Sequence, residues 1–417
     1  MFPHRFYVLP GWLIVGWLGM AGGAYASPLS FDDALALGVR NAPELSANTA
    51  QIRSAQELIE PADALPDPKL SLGVANYPIS GPQAGSLTES QMTMQRIGIS
   101  QVIPNSAKRH ARAEIAEAEL GSAQAQRHVV RLVIQQQASQ AWIKRYYLER
   151  KLEQLDDLER ENRLLTTTVN ARIASGDAPL TDSVLAKQAV ARLADRRDDL
   201  EGERIEAIAE LRRYVGEAAD ESLEGTPPSF AVSPQTLRAR IRRYPDVLAL
   251  EAQTRTAEAR VAEAKSEKRP DWGVELAYQH RDERYGDMVS AQVSFDLPLF
   301  TASRQDPTIR ARQHNVERLQ FERDALLRDQ LRELDRQLAD YAALSSQLKR
   351  AQTTWLNLAE QKVDLQYAAY RSGQGDLDAV LAARRELIDQ RLRIVDLTQQ
   401  RELIAMQLHF AYEEPTS

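Results

Sequence analysis

Two long segments of the chain carry apolar residues at the spacing of a coiled coil. In the first segment, one seven-residue register holds Leu148, Leu155, Asn162 and Val169, with Leu158 and Leu165 in the adjoining register. In the second, the 4-3 spacing runs through Leu327, Leu331, Leu334, Leu338, Tyr341, Leu348 and Trp355. Sustained 4-3 spacing is typical of a helix packed along a seam. Each segment is therefore predicted to be a coiled-coil helix.

These helices are predicted to be unusually long. Residues 107–175 contain no Pro and only one Gly, and residues 308–372 contain neither. At a rise of 1.5 Å per residue, a helix of about 65 residues extends roughly 100 Å. Helices much longer than 25 residues do not fit in a compact domain. We therefore expect an elongated molecule.

Both long helices end at a small turn that is followed by a return helix. The two turns contain Ser175-Gly176 and Ser372-Gly373, and the return helices are expected over about 180–216 and 377–412. A Gly just past a helix end is a common C-cap. Each segment is thus predicted to form a helical hairpin whose tip lies far from the rest of the chain.

Elsewhere the apolar pattern changes to a period of two. In 271–280 and 288–297 apolar and polar residues alternate, and a less regular version occupies the regions around Leu70–Val74 and Ile97–Ile103. Alternation indicates a half-buried strand. We interpret these segments as four strands in two hairpins. Their lengths suit tilted transmembrane strands, although ordinary hairpins of a small soluble sheet would show the same alternation.

The chain repeats one plan twice. Each half has an opening helix, a Pro followed by an acid (Pro43-Glu44 and Pro245-Asp246), two strands and a long helical hairpin. We therefore predict two structural repeats, 27–228 and 229–417, which are joined near a Gly-Thr-Pro-Pro loop. A duplication is the simplest explanation of this organisation.

The N-terminal residues and the composition narrow the possible functions. Residues 1–26 have a basic start, a short apolar run and Ala24-Tyr25-Ala26, which is typical of a cleavable secretory signal. The alternative, a membrane anchor, would need a longer run without the three interrupting Gly residues. The chain has no Cys and a net charge of -7, without a basic block for nucleic acid.

The sequence contains no pattern typical of an enzyme. The six His residues are scattered, and no Gly-rich phosphate loop follows a strand. Paired acids lie in charged helix registers, where a solvated face is the common explanation. We expect no catalytic residues, no cofactor and no metal centre; Met92 and Met94, expected on one strand face, are weak candidates for a soft metal ion.

Membrane strands would force several copies of the chain to assemble. Lipid does not tolerate unpaired strand edges, so a membrane sheet must close into a barrel, and the smallest common barrels have about eight strands. Closure with four strands per chain requires at least two chains. The alternation then predicts a water-filled lumen lined by Glu275, Gln292, Ser294 and Asp296.

The ordered set of these features resembles the TolC family of outer-membrane efflux proteins. The resemblance implies a mainly α fold with a small transmembrane β part, formed by a homotrimer with a twelve-stranded barrel and a long periplasmic helical barrel. It also implies a periplasmic adaptor and an inner-membrane pump as partners. The stretches Leu65–Leu70 and Ile99–Pro104 resemble the branch of the family that exports heavy-metal cations through RND-type pumps.

The resemblance also directs attention to the hairpin tips. Family members often carry two acids three residues apart on the last return helix, at the positions of Ala379 and Ala382 in this chain. An acidic entrance could instead be formed by three nearby aspartates, which are Asp182, Asp376 and Asp378. The alternative is that these aspartates only cap helices. The expected adaptor contacts are Ser175, Gly176, Ser372 and Gly373.

Two other functions remain open from the sequence. A multidrug or type I secretion channel would have the same architecture, because the pump largely determines the substrate. A soluble periplasmic coiled-coil adaptor or scaffold would explain the helices and the signal. It would not explain four duplicated strands of membrane length.

Overall fold

The computed structural model describes residues 28–412, so the signal segment expected at 1–26 lies outside the described residues. Long helices dominate the described chain. In order, the elements are β1 (Leu29–Ser30), α1 (Phe31–Asn41), α2 (Pro43–Glu57), α3 (Ile59–Asp63), β2 (Lys69–Ala75), β3 (Met94–Ile103), α4 (Ser106–Ala174), α5 (Thr181–Val215), β4 (Leu223–Glu224), α6 (Pro234–Arg240), α7 (Pro245–Ser266), β5 (Trp272–His280), β6 (Met288–Phe295), α8 (Gln305–Arg350), α9 (Leu356–Arg371) and α10 (Leu377–Tyr412).

Helix α4 forms the predicted coiled-coil seam of the first repeat. It has 69 residues, and its N-terminus is capped by Asn105, whose Oδ1 accepts a hydrogen bond from the Lys108 amide at 2.9 Å. The predicted seam positions are buried: Leu155 and Val169 are 0% exposed and Asn162 is 7% exposed. The seam faces α5 and α10, which pack along α4.

The second long helix is interrupted by a π turn. Residues Ala351–Trp355 form this turn between α8 and α9. A π turn contains one residue more than an α-helical turn, so the residues after it are rotated relative to the 4-3 pattern. Leu348 is buried as predicted, but Trp355 is 53% exposed and Ala359 is buried after it. Leu331, another predicted seam position, is also exposed, so the prediction was wrong at these two positions.

The four predicted strands form one sheet. Its order is β2-β3-β5-β6, and every neighbouring pair is antiparallel. The two predicted hairpins are therefore joined by pairing between β3 and β5, with Ile99 opposite Leu276. The outer edges of β2 and β6 pair with no other described strand. A separate two-residue parallel pairing of β1 with β4 was not predicted.

The register divides the sheet into an apolar and a polar face. Cross-strand partners lie on the same face. The apolar face is largely exposed in the single chain, and its side chains include Leu70, Leu72, Val74, Ile97, Ile99, Trp272, Val274, Leu276, Tyr278, Val289, Val293 and Phe295. An exposed apolar area of this extent on a soluble protein normally marks an interaction surface.

A polar cluster joins the sheet to the long helices. The Asp271 carboxylate, just before β5, accepts hydrogen bonds from the Asn105 amide at 2.8 Å and from Lys108 Nζ at 2.9 Å. Both partners lie at the start of α4. The cluster therefore fixes the angle at which the first long helix leaves the sheet.

The two repeats share a hydrophobic core halfway along the helices. Its centre is Trp142, which is 0% exposed and packs edge-on against Phe31 with ring centroids 5.5 Å apart. The Trp142 Nε1 donates a hydrogen bond to the Leu29 carbonyl at 3.1 Å. Val215 and Met406 bring the two return helices to the same core. In residues 28–412 no helix combines the length and the apolar character needed to cross a membrane.

Candidate functional site

The two hairpin tips have the same backbone geometry. Gly176 and Gly373 have φ of +82° and +76°, values that suit Gly because it has no Cβ. The amides of Ser175 and Ser372 donate to carbonyls four residues earlier, each at 3.0 Å. These bonds satisfy helix carbonyls that would otherwise lack donors. All four predicted tip residues are exposed, so they are accessible for contact with another protein.

A buried contact joins the two tips. The Asp182 side chain, in the first turn of α5, is 5% exposed, and its Oδ2 accepts a hydrogen bond from the Tyr370 hydroxyl at 3.0 Å. Tyr370 is the second-last residue of α9 and is 3% exposed. Burial, followed by the bond to Asp182, raises the pKa of Tyr370 to about 12. The phenol therefore stays protonated and donates to the carboxylate at neutral pH.

Arg172 strengthens the same contact from the first tip. Its guanidinium lies 4.3 Å from the centroid of the Tyr370 ring, and its Nη1 donates to the Tyr370 carbonyl at 2.6 Å. Its Nη2 donates to the Asp177 carbonyl at 3.0 Å, in the turn itself. We name Arg172, Asp182 and Tyr370 the tip cluster. The cluster holds the hairpins of the two repeats together at their ends.

The other two predicted entrance acids lie in different surroundings. Asp376 caps α10, since its Oδ1 accepts a hydrogen bond from the Ala379 amide at 2.8 Å. Asp378 lies in the first turn of α10, and both aspartates are exposed. Ala382, at the second family acid position, is exposed as well. Of the three predicted entrance acids, Asp376 and Asp378 are therefore exposed, whereas Asp182 is enclosed between the hairpins.

The polar face of the sheet carries the predicted lumen residues. Glu275 is directly opposite Gln292, and Ser294 is opposite Gly273, so these side chains share one face. Asp296 follows β6, and its amide donates to the Asp271 carbonyl at 2.8 Å. Each predicted residue thus lies on the polar face or at its end.

An ion pair that the sequence did not predict crosses this face. Arg96 on β3 forms a salt bridge with Glu275 on β5. Gly98 lies between them, and a Cβ at Gly98 would approach Ser71 Oγ to 2.8 Å and the Glu275 Oε1 to 3.3 Å. The Gly therefore leaves room for the pair.

The weak metal candidates are not on one strand. β3 begins at Met94, and Met92 lies in the preceding loop with 56% of its surface exposed. The expectation that both share a strand face was wrong, because β3 begins two residues after Met92. Within residues 28–412, no three His, Asp or Glu side chains are grouped as metal ligands.

These features together define a class of protein. A sheet with an exposed apolar face is continuous with helices of roughly 100 Å whose two hairpin tips are in contact, an arrangement that suits a channel subunit with a membrane part and a long extension. Residues 36–217 and 237–412 match the profile of the outer membrane efflux protein family. The chain belongs to this family.

Membership gives the coarse function and the location. The chain is an efflux channel of the TolC type in the outer membrane, with its helices extending into the periplasm. The family is one of channels and is not an enzyme family. An outer-membrane channel is therefore the supported class, in preference to a soluble periplasmic scaffold.

Solved structures have the same fold. CusC superposes with a TM-score of 0.76 at 16% identity, over 92% of this chain and 91% of CusC. VceC from Vibrio cholerae superposes with a TM-score of 0.76 at 18% identity, over 92% of this chain and 95% of VceC. CmeC from Campylobacter jejuni superposes with a TM-score of 0.74 at 12% identity, over 92% of this chain and 85% of CmeC. Comparison with curated protein sequences finds no match.

Sequence reasoning missed Tyr370, Arg172 and Arg96. Tyr370 and Arg172 lie two and three residues before the Ser-Gly turns, where they resemble ordinary residues of a helix end. Arg96 occupies a polar-face position of β3, opposite Gln279, and its charge was the signal that could have indicated an ion pair on this face.

Proposed function

We propose that this chain is the outer-membrane conduit of a tripartite efflux system, which carries substrates passively from the periplasm to the exterior. The observation that carries the proposal is the continuity of the two-faced sheet with helices α4 and α8. Such a chain connects a membrane pore with a long periplasmic tube. An adaptor and an inner-membrane RND-type pump would supply the substrate at the far end.

Closure of the sheet supports a homotrimer. β2 and β6 each have one edge that pairs with no strand in residues 28–412, and lipid requires such edges to be paired. Pairing β6 of one copy with β2 of the next continues the sheet around a ring. Three copies would give twelve strands, within the range of known membrane barrels. The apolar face would then contact lipid, and the face with Arg96 and Glu275 would line the lumen.

The helices are arranged in a way that supports the same closure. Within the chain α4 packs on α5 and α10, and α10 packs on α8 and α9, so α5 and α9 form the two sides of the helical layer. Both sides expose apolar residues. Val184 and Ile205 on α5 are 55% and 62% exposed, and Leu358 and Leu365 on α9 are 51% and 71% exposed. In a ring, α5 of one copy would cover α9 of its neighbour.

The tip cluster supports a gate at the periplasmic end. The contact between Asp182 and Tyr370 holds the two hairpins together. Separation of the hairpins would widen the entrance, and the exposed turns at Ser175–Gly176 and Ser372–Gly373 are where an adaptor would act. Asp376 and Asp378 would lie beside the entrance.

Heavy-metal cations are the proposed cargo. The support is the resemblance of residues 65–70 and 99–104 to the cation-efflux branch, together with the exposed aspartates Asp376 and Asp378 at the start of α10. Carboxylates near an entrance raise the local concentration of cations. A multidrug or type I secretion channel is the second candidate, since the pore lining alone does not select a substrate.

Fractionation and conductance test the conduit. The expressed protein is expected in the outer-membrane fraction, with the mass of three chains in detergent and ion conductance in a planar bilayer. A soluble, non-conducting protein in the periplasmic fraction would overturn the proposal.

Complementation tests the cargo. The gene is expressed with its cognate adaptor and pump in a strain without its own channel, and resistance to divalent metals and to organic antibiotics is compared. A double change, Asp376→Asn with Asp378→Asn, should lower metal resistance, and Asp364→Asn, an exposed acid further along α9, is the control. Resistance to antibiotics without resistance to metals would favour the multidrug channel.

A further inference from the structure

A cavity of about 230 Å³ lies between the helical hairpins, next to the tip cluster and on the side away from the turns. It is lined by side chains of α4, α5 and α10, so both repeats contribute to it. Leu158, Leu185 and Leu381 make part of its wall apolar. The remaining wall contains two amides, Asn162 and Gln188, and several charged groups. A cavity of mixed character suits a ligand that has an apolar part and a polar part.

A buried amide in the wall lacks a hydrogen-bond partner. Asn162 is 7% exposed, and its Nδ2 has no acceptor in the described structure. It occupies a seam position of α4 between Leu155 and Val169, where an apolar residue would pack without this cost. A buried donor that is left unsatisfied costs about 1–3 kcal/mol. An acceptor supplied by a ligand would remove this cost.

A half-buried guanidinium in the same wall is also incompletely paired. Arg384 Nη1 donates to the Glu161 carbonyl at 3.2 Å, but its Nε has no acceptor. Burial lowers the pKa of Arg384 below its ordinary value, although Glu161 opposes the effect. The guanidinium is thus desolvated without a full set of partners. A charged acceptor would be the strongest partner for it.

The rim of the cavity adds further positive charge. Arg192, Arg196 and Arg385 line it, and none of these three forms an ion pair with another described residue. Of the three acids in the wall, Glu161 forms an ion pair with Arg391, whose Nη1 lies 3.7 Å from the Glu161 Oε1. Asp378 and Asp389 are exposed. The donors without partners, Asn162 and Arg384, lie deeper than these two acids.

We propose that this cavity binds a small organic anion, in which a carboxylate is attached to an apolar ring or short chain. The carboxylate would accept hydrogen bonds from Arg384 and Asn162, and the apolar part would pack on the leucines. The volume is below the 300–1,000 Å³ usual for drug-sized ligands, so the ligand has one or two rings at most. A bound anion would link α4 and α5 to α10 and so hold the hairpins of the two repeats together.

Three matched probes test the chemistry. Binding of 1-naphthoate, 1-naphthamide and 1-naphthylmethylammonium to the purified full chain in a nonionic detergent is measured by calorimetry. We expect the anion to bind at least about tenfold more tightly than the other two, which corresponds to one charge-assisted hydrogen bond. Partition into the micelle favours the neutral amide, so it cannot produce this order.

Two variants test the site itself. Arg384→Gln and Asn162→Leu should each weaken binding of 1-naphthoate, the first by about tenfold or more, with the melting temperature retained. Arg371→Gln, an exposed arginine of α9 outside the cavity, is the matched control and should leave affinity within about twofold.

The proposal fails if 1-naphthoate does not bind, if the three probes bind equally, or if neither variant changes the affinity. If Arg384→Gln does not fold, the comparison of the three probes and the affinity of Asn162→Leu still test whether the cavity binds the anion. The test does not depend on channel activity, so the proposed conduit could stand while this site is refuted.

Discussion

Removal of the Tyr370 hydroxyl is expected to loosen the contact between the two hairpin tips. In Tyr370→Phe the ring keeps its place against Leu377 and Val380, and the contact with the Arg172 guanidinium is retained. Only the donor to Asp182 Oδ2 is lost. The variant therefore isolates one hydrogen bond between the two repeats.

The magnitude follows from the burial of the acceptor. Asp182 is 5% exposed, so water cannot easily replace the lost donor. A hydrogen bond to a charged group contributes about 1.5–3 kcal/mol. At about 1.4 kcal/mol per factor of ten, the equilibrium between joined and separated hairpins shifts by about tenfold to about 150-fold in each copy.

Single-channel conductance in a planar bilayer is the assay. Tyr370→Phe should increase the time spent in the open state or the mean conductance, and Tyr367→Phe is the control. Tyr367 packs against the same buried apolar side chains as Tyr370, but within residues 28–412 its hydroxyl forms no hydrogen bond. If both variants conduct like the unmodified channel, or if both conduct more, the Asp182–Tyr370 bond does not close the tip.

Three further predictions address the sheet, the core and the pH dependence. Val293→Arg places a charge on the proposed lipid face, where the cost depends on depth and reaches about 2–4 kcal/mol per copy at most, so assembly in outer-membrane fractions should fall. Gln292→Arg on the polar face should assemble and change ion selectivity. Trp142→Phe removes both the donor to the Leu29 carbonyl and part of a fully buried ring, so it should lower the free energy of unfolding by at least about 1–3 kcal/mol. Denaturant titration measures this, and the control is Tyr146→Phe, which removes a hydroxyl bonded only at an exposed site to Arg150. Because burial raises the pKa of Tyr370 from 10.0 to about 12, the tip contact should be complete below pH 10 and lost as the pH rises towards 12. Conductance of the unmodified channel should rise in that range, and Tyr370→Phe, which lacks this phenol, should show a smaller change; equal changes in both would contradict the assignment.

Local sequence signals predicted most of the helices and strands. The register through Leu148, Leu155, Asn162 and Val169 is buried along its length, since seven-residue spacing places these side chains on one helix face. Alternation located β5 and β6 to within two residues of their ends. Gly176 and Gly373 marked the reversals because each requires a positive φ.

The long-range contacts could not be predicted from these local signals. Arg96 and Glu275 are 179 residues apart, and Asp182 and Tyr370 are 188 residues apart. No periodicity relates positions so distant. The exposure of Trp355 was missed for a different reason, since nothing in Ala351–Trp355 indicates that the helix takes an extra residue there. The boundary between repeats at 228 and 229 stays a prediction.

The tip cluster depends on differences between two copies of the same plan. The turns align Ser175 with Ser372, so Arg172 corresponds to Ala369, Tyr370 to Ile173 and Asp182 to Ala379. A symmetric pair of hairpins would place identical side chains opposite one another, and two buried aspartates in contact would repel. In this chain the first repeat supplies the acid and the guanidinium, and the second supplies the phenol. The duplicated backbone brings the two tips together, and the divergence of three side chains adds a specific hydrogen bond between them, which opening of the proposed gate would break.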